Sequence, residues 1–92
     1  MKNIKDSEFS IYSEKYVSLT GKITDGCLSL ESNVYGDDYD SEKHYEFSEE
    51  ETEKLFKLIS LYDFIKFCQK EHLLGMETFL KENNIEYRTF TY

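Results

Sequence analysis

Along this chain a strand pattern returns only at Ile85; the main change in the spacing of apolar positions, from every second residue to every third or fourth, falls at Ser48. The clearest element before that point is centred on Asp25-Gly26, a strong signal for a two-residue type I′ turn. Folding the chain there pairs Thr24 with Cys27, Ile23 with Leu28, Gly21 with Leu30, Leu19 with Ser32 and Val17 with Val34. Opposed residues share a face and neighbours alternate. One face therefore collects Val17, Leu19, Ile23, Leu28, Leu30 and Val34, and the other holds only Thr, Lys, Ser, Glu and Asn. A slip of one residue would mix the two sets, so the register supports itself. A hairpin alone is marginal and needs a cover over its apolar face.

The flanks of the hairpin read less sharply. Residues 1–8 are polar, as a frayed end would be, and Phe9-Ser-Ile-Tyr-Ser13 alternates as a short strand or a loose arm. Gly36 to Ser41 reads as a loop. Lys43 to Phe47 reads as a third strand, with Tyr45 and Phe47 on one side and Glu42, His44 and Glu46 on the other. Ser48-Glu-Glu-Glu51 fits a capping box, in which the serine oxygen takes an orphan N–H and Glu51 reaches back to the cap. Leu55, Phe56, Leu58, Ile59, Leu61, Tyr62, Phe64, Ile65 and Cys68 then form a helical apolar stripe. Ser60-x-x-Asp63 is a second cap, at a kink or short break. Leu73-Leu74-Gly75 reads as a joint with Gly75 at positive φ. A short third helix carries Met76, Phe79 and Leu80, Asn83-Asn84 stops it, and Ile85 to Tyr92 closes as a strand. The sequence predicts one α+β domain over residues 1–92: a mostly antiparallel sheet built on a central hairpin, covered on one face by two or three helices. Phe56, Ile59, Phe64 and Phe79 are expected to be buried against the hairpin.

Composition sharpens this picture in two ways. The 92 residues include eight Tyr and seven Phe but no Ala, Pro or Trp, so aromatic rings must carry much of the core. Ten lysines against the single Arg88, with Ala and Pro missing, suggest an AT-rich bacterial or phage genome. Charge is more informative. Between Asp37 and Glu53 nine acids stand against one base, Lys43, and carry the whole net charge of −8; the rest of the chain is balanced. Nucleic-acid binders concentrate Lys and Arg to displace counterions, and no stretch here does. A basic protein is the natural complement, although charge runs also serve solubility alone. The start of the chain has no apolar signal region, and no apolar run nears the ~18 residues of a membrane span. The expected location is the cytoplasm, with Cys27 and Cys68 as reduced thiols.

Little of this sequence points to catalysis. Asp38-x-Asp40-x-Glu42 spaces acids as a calcium loop does, but Lys43 stands where that loop requires Gly. No Cys/His spacing suggests zinc. His44 and His72 have no evident relation to either cysteine, and surplus surface acids are not a general acid/base pair. No metal, cofactor or enzymatic activity is expected. Tyr35, Tyr39 and Tyr45 lie among the acids, and rings among carboxylates suit the gripping of Lys and Arg on a partner; packing at the sheet edge accounts for Tyr35 and Tyr45 equally well. Glu49, Glu50 and Glu51 suit the positive end of a helix dipole, which leaves Asp37 to Glu46 as the part with no local explanation.

From Ser41 onward, the run S-E-K-H-Y-E-F-S-E-E-E-T-E-K-L-F and the closing N-N-I-E-Y-R-T-F-T-Y resemble small immunity proteins of bacterial toxin–immunity systems. The resemblance covers a little over half the chain. It implies a compact, acidic, cytoplasmic protein that binds and blocks a toxin domain, frequently a basic nuclease. That family shares no single binding signature, so no functional residue carries over. The expected partner-binding residues are Asp37, Asp38, Tyr39, Asp40, Glu42, Glu46, Glu49 and Glu50, in a small acidic protein-binding inhibitor with no direct nucleic-acid or membrane binding. The alternatives are a nucleic-acid mimic, such as a phage anti-restriction or anti-CRISPR protein, and a non-catalytic regulatory domain.

Overall fold

The computed structural model describes residues 5–36 and 40–91. In chain order the elements are β1 (Ser7–Ser13), β2 (Val17–Thr24), β3 (Cys27–Tyr35), β4 (Asp40–Glu46), α1 (Glu49–Leu58), α2 (Leu61–Glu82) and β5 (Arg88–Thr91). The five strands form one sheet in sequence order, with every neighbouring pair antiparallel. The fold is α+β, with both helices on one face of the sheet.

The β2–β3 hairpin turns at Asp25 (φ 53°) and Gly26 (φ 81°), the two positive φ values a type I′ turn needs. Its register runs from Thr24–Cys27 through Ile23–Leu28 to Val17–Val34. Leu19, Ile23, Leu28 and Leu30 are buried, but Val34 is 46% exposed. Val17 and Val34 do share the apolar face, but at a sheet end that the helices do not cover. Phe9-Ser-Ile-Tyr-Ser13 is a true strand. The register between β1 and β2 shifts between Ser10 and Tyr12. That bulge turns both Ile11 and Tyr12 toward the helices, where Ile11 is buried and Tyr12 packs against the core.

Several boundaries differ from the sequence reading. Strand β4, expected from Lys43, begins at Asp40, inside the stretch expected to be a loop, because Tyr35 and Val34 offer ladder partners to Asp40 and Ser41. The last strand is shorter than Ile85–Tyr92: Ile85 is buried in the core, pairing starts at Arg88, and Tyr92 lies outside the described residues.

Ser48 caps α1 as expected, its Oγ accepting from the Glu51 N–H at 3.2 Å. Glu51 does not reach back. Its carboxylate accepts from the Glu86 backbone N–H at 2.9 Å and pairs with Lys54 at 3.1 Å, which fastens α1 to the segment entering β5. Those two contacts hold its carboxyl below the usual glutamate range. Ser60 caps α2 through the Asp63 N–H. The expected joint at Gly75 lies instead at His72, whose φ of 61° and ψ of −164° interrupt α2. Gly75 has no positive φ; a Cβ there would collide with the Glu71 side chain, so glycine serves close approach. The third helix is thus the far part of α2. Asn84, at φ 59°, ends the helical region.

The core joins Ile11, Leu19, Ile23, Leu28, Leu30 and Tyr45 of the sheet to Leu55, Phe64, Cys68, Met76 and Leu80 of the helices. Burying each large apolar side chain is worth roughly 1.5–3 kcal/mol. Of the four residues expected in the core, only Phe64 is fully buried; Phe56, Ile59 and Phe79 pack at its margin. The helix–sheet joint is polar at one point. The Leu28 N–H lies beyond the last strand partner on β4 and donates instead to Thr52 Oγ1 at 3.0 Å, and that buried hydroxyl donates on to the Ser48 carbonyl at 2.8 Å.

Candidate functional site

The sheet face turned away from the helices is uncovered, and alternation decides what it carries. On β3 it presents Ser29, Glu31, Asn33 and Tyr35; on β4, Asp40, Glu42, His44 and Glu46. Cross-strand pairing brings Tyr35 opposite Asp40, Asn33 opposite Glu42, Glu31 opposite His44 and Ser29 opposite Glu46. On the far side of β4, Phe90 lies opposite His44 and Arg88 opposite Glu46, with the Arg88 guanidinium 5.2 Å from the Phe90 ring centre. At one end stand Tyr16 and Tyr35, 57% and 44% exposed and joined through the Tyr35 N–H and the Tyr16 carbonyl at 2.8 Å. An open concavity of about 630 Å³ lies on the same face, lined by Glu8, Ser10, Lys22, Glu31, His44 and Glu46 among others.

Those expected partner-binding residues that the structure describes divide between two places. Asp37, Asp38 and Tyr39 lie outside the described residues. Asp40, Glu42 and Glu46 share the open face of β4, with His44 between Glu42 and Glu46. Glu49 and Glu50 belong elsewhere. They sit exposed in the first turn of α1, and the Glu49 side chain lies against Gly26 of the hairpin turn. The open face also holds Glu31 and Glu8, which were not among the expected residues. The hairpin register already placed Glu31 on the polar face, but its neighbours on β4 depend on the β3–β4 register, for which the intervening sequence gives no turn signal.

At the centre of the face, Glu42 Oε2 and His44 Nε2 are 2.5 Å apart, and Asn33 Nδ2 donates to Glu31 Oε2 at 3.0 Å. Glu31, Glu42 and His44 each direct one donor atom to within 4.8 Å of the others. Lys43 is turned to the opposite face, where its Nζ is 3.3 Å from Glu77 Oε2. Its charge is paired there with a carboxylate of α2. Asp40 and Glu42 lie on an extended strand that cannot wrap an ion as such a loop does.

The remaining candidates divide clearly. Tyr45 is fully buried and is part of the core. Its hydroxyl donates to Glu77 at 2.5 Å, and burial, reinforced by that bond, drives its ionisation far above the ordinary range. Cys27 and Cys68 are both free thiols. Burial pushes Cys68 up to about 12, which leaves it protonated and inert at neutral pH. His72 stands at the kink within α2. It breaks α2 and meets Tyr12, ring centres 5.0 Å apart, and Glu14 at 3.6 Å. A second concavity, of about 700 Å³, runs between α2 and the entry to β5 beside Leu74, Glu77, Lys81, Ile85 and Tyr87. No helix among the described residues is long and apolar enough to cross a membrane. Comparison with protein-family models, curated proteins and solved structures finds no match to this chain.

Proposed function

We propose that this protein is a small acidic inhibitor that binds and occludes a basic protein partner, as an immunity protein blocks a toxin or nuclease domain. The observation that carries the reading is the composition of the open sheet face. Asp40, Glu42 and Glu46 lie there with Glu31 and Glu8, and the exposed rings of Tyr16 and Tyr35 stand at the end of the face that carries Asp40. Exposed tyrosines supply contact area at low entropic cost, and the carboxylates supply steering toward a cationic surface. Five acids on this face are opposed by Lys22 and Arg88 alone among the described lysines and arginines of the paired strands.

A second reading has its own support. Asp40, Glu42 and Glu46 lie along the length of β4 as an extended row, the arrangement a nucleic-acid mimic needs. The experiment that tests the first reading also separates the two. The partner is captured from the source organism, and its association rate is measured with the native protein and with Asp40→Asn/Glu42→Gln/Glu46→Gln. Inhibitor binding predicts a slowing of about tenfold or more at low salt, with a flatter salt response. A mimic predicts in addition that duplex DNA competes for the captured protein. If rate and salt response are unchanged in the triple variant, the acids are a solvated face and the proposal fails.

A further inference from the structure

The geometry points to a binding site for one divalent transition-metal cation of the zinc class, formed by Glu31, Glu42 and His44 on the open sheet face. The three residues come from two strands, and the register explains their meeting. Glu31 lies directly opposite His44, and Glu42 precedes His44 by two residues on the same face. Their donor atoms lie within 4.8 Å of one another. Ligand bonds of about 2.0–2.2 Å in a tetrahedral site place donors roughly 3.3–3.6 Å apart, a distance that small side-chain rotations reach. The three groups are partly buried, which strengthens their interaction with an ion relative to fully solvated carboxylates.

A separate electrostatic observation favours a cation. The Glu31 and Glu42 carboxylates converge, yet among the described residues no lysine or arginine pairs with either. Lys43, the nearest base in sequence, pairs with Glu77 on the other face. Two carboxylates held this close repel each other, and an ion bound between them removes that cost. Asn33 is placed to support the site, since its amide donates to Glu31 and fixes the carboxylate's orientation. The donor set selects the metal. Imidazole favours zinc, copper, nickel or iron over calcium and magnesium, which prefer all-oxygen shells. The ion would take the position now spanned by the contact between His44 Nε2 and Glu42 Oε2. Three protein ligands leave a further position for water. This inference does not rest on the inhibitor reading, because the isolated protein tests it.

The test is calorimetric titration of the purified protein with zinc chloride, then with calcium and magnesium chloride, in a Cys27→Ser background that removes the accessible thiol. One equivalent of zinc is expected to bind with micromolar affinity, at least tenfold tighter than calcium. His44→Ala and Glu31→Gln should each weaken zinc at least tenfold while the metal-free circular dichroism and melting temperature stay near the parent's. In ¹⁵N spectra of the imidazoles, zinc should shift His44 Nε2 and leave His72 unmoved. Absence of zinc binding at 100 µM protein, equal affinity for calcium, binding that survives His44→Ala, or a shift at His72 in place of His44 would each overturn the assignment.

Discussion

Thr52→Val is a nearly isosteric change that tests how the helices are joined to the sheet. Thr52 is fully buried, and its Oγ1 accepts from the Leu28 N–H at 3.0 Å while donating to the Ser48 carbonyl at 2.8 Å. Valine keeps the shape and removes both bonds. The Ser48 carbonyl loses little, because it still accepts the Thr52 N–H at 2.9 Å. The Leu28 N–H has no such reserve, since β4 ends before it and the Leu28 carbonyl, which accepts from Phe47, cannot substitute for an acceptor. A buried donor left without a partner costs about 1–3 kcal/mol. Total stability for a domain of this size is about 5–14 kcal/mol, so the loss is a substantial fraction of it. At roughly 4–8 °C per kcal/mol, a 2 kcal/mol loss lowers the melting temperature by about 8–16 °C. Urea denaturation should show a lower midpoint with an unchanged slope, because the same surface is exposed on unfolding. Amide exchange at Leu28 should accelerate more than at Leu30. Thr52→Ser keeps the hydroxyl and should lose clearly less. A Thr52→Val protein within 0.5 kcal/mol of the parent, with Leu28 exchange unchanged, would refute the claim that this hydroxyl completes the sheet ladder.

Two further outcomes follow from burial. Phe64→Ala should cost about 3–5 kcal/mol, whereas Phe56→Ala, on the half-buried ring packed edge-on against Phe64, should cost less than half as much; equal losses in chemical denaturation would show that the margin and centre of the core are not distinct. At alkaline pH, burial raises Cys68 from 9.0 to about 12 and also raises Tyr12, Tyr45 and Tyr87. The unfolded chain releases these protons first, so their stabilisation is complete below about pH 9 and is lost progressively above it. Melting temperature should therefore fall between pH 9 and 11, with a shallower fall in Cys68→Ala; an identical slope in that variant would remove Cys68 from the explanation.

The parts of the fold legible from sequence were those fixed locally. Asp25-Gly26 sets the turn, the turn sets the register, and every pair from Thr24–Cys27 to Val17–Val34 follows from it. Ser48 and Ser60 announce their helices because a cap acts within three residues. What escaped depends on distant partners. Gly75 was the obvious candidate for a break in α2, but positive φ falls on His72, which meets Tyr12 and Glu14 near the first strand. Such a conformation costs a non-glycine residue about 1–3 kcal/mol, which only surrounding tertiary contacts can hold. Glu51 fits a capping box in sequence, yet its carboxylate is drawn to the Glu86 N–H, 35 positions along the chain. The candidate site shows the same division. Alternation along β4 placed Glu42, His44 and Glu46 together, while the contribution of Glu31 required the pairing of β3 with β4.

The acids of this chain answer to different demands, and separating them shows which charge the fold leaves unexplained. Glu49 and Glu50 stand at the positive end of α1, and Glu51 ties α1 to the approach to β5. On the open sheet face alternation requires only that a residue be polar, and Ser, Thr or Lys would meet that requirement as well as Glu. The fold therefore does not dictate the negative sign of Asp40, Glu42 and Glu46. Their direct cross-strand partners are instead compatible with charge: Tyr35 faces Asp40, Asn33 faces Glu42, and Ser29 and Arg88 flank Glu46. Like charges directly opposite would destabilise the sheet, and no described pair on this face opposes two acids. Negative charge is thus concentrated on one surface without an acid–acid pair in the ladder, except on the diagonal where Glu31 and Glu42 converge beside His44. A surface serving solubility alone has no need of that convergence, nor of exposed Tyr16 and Tyr35 beside it. Those two features, rather than the net charge, favour recognition of a cationic partner over simple solvation.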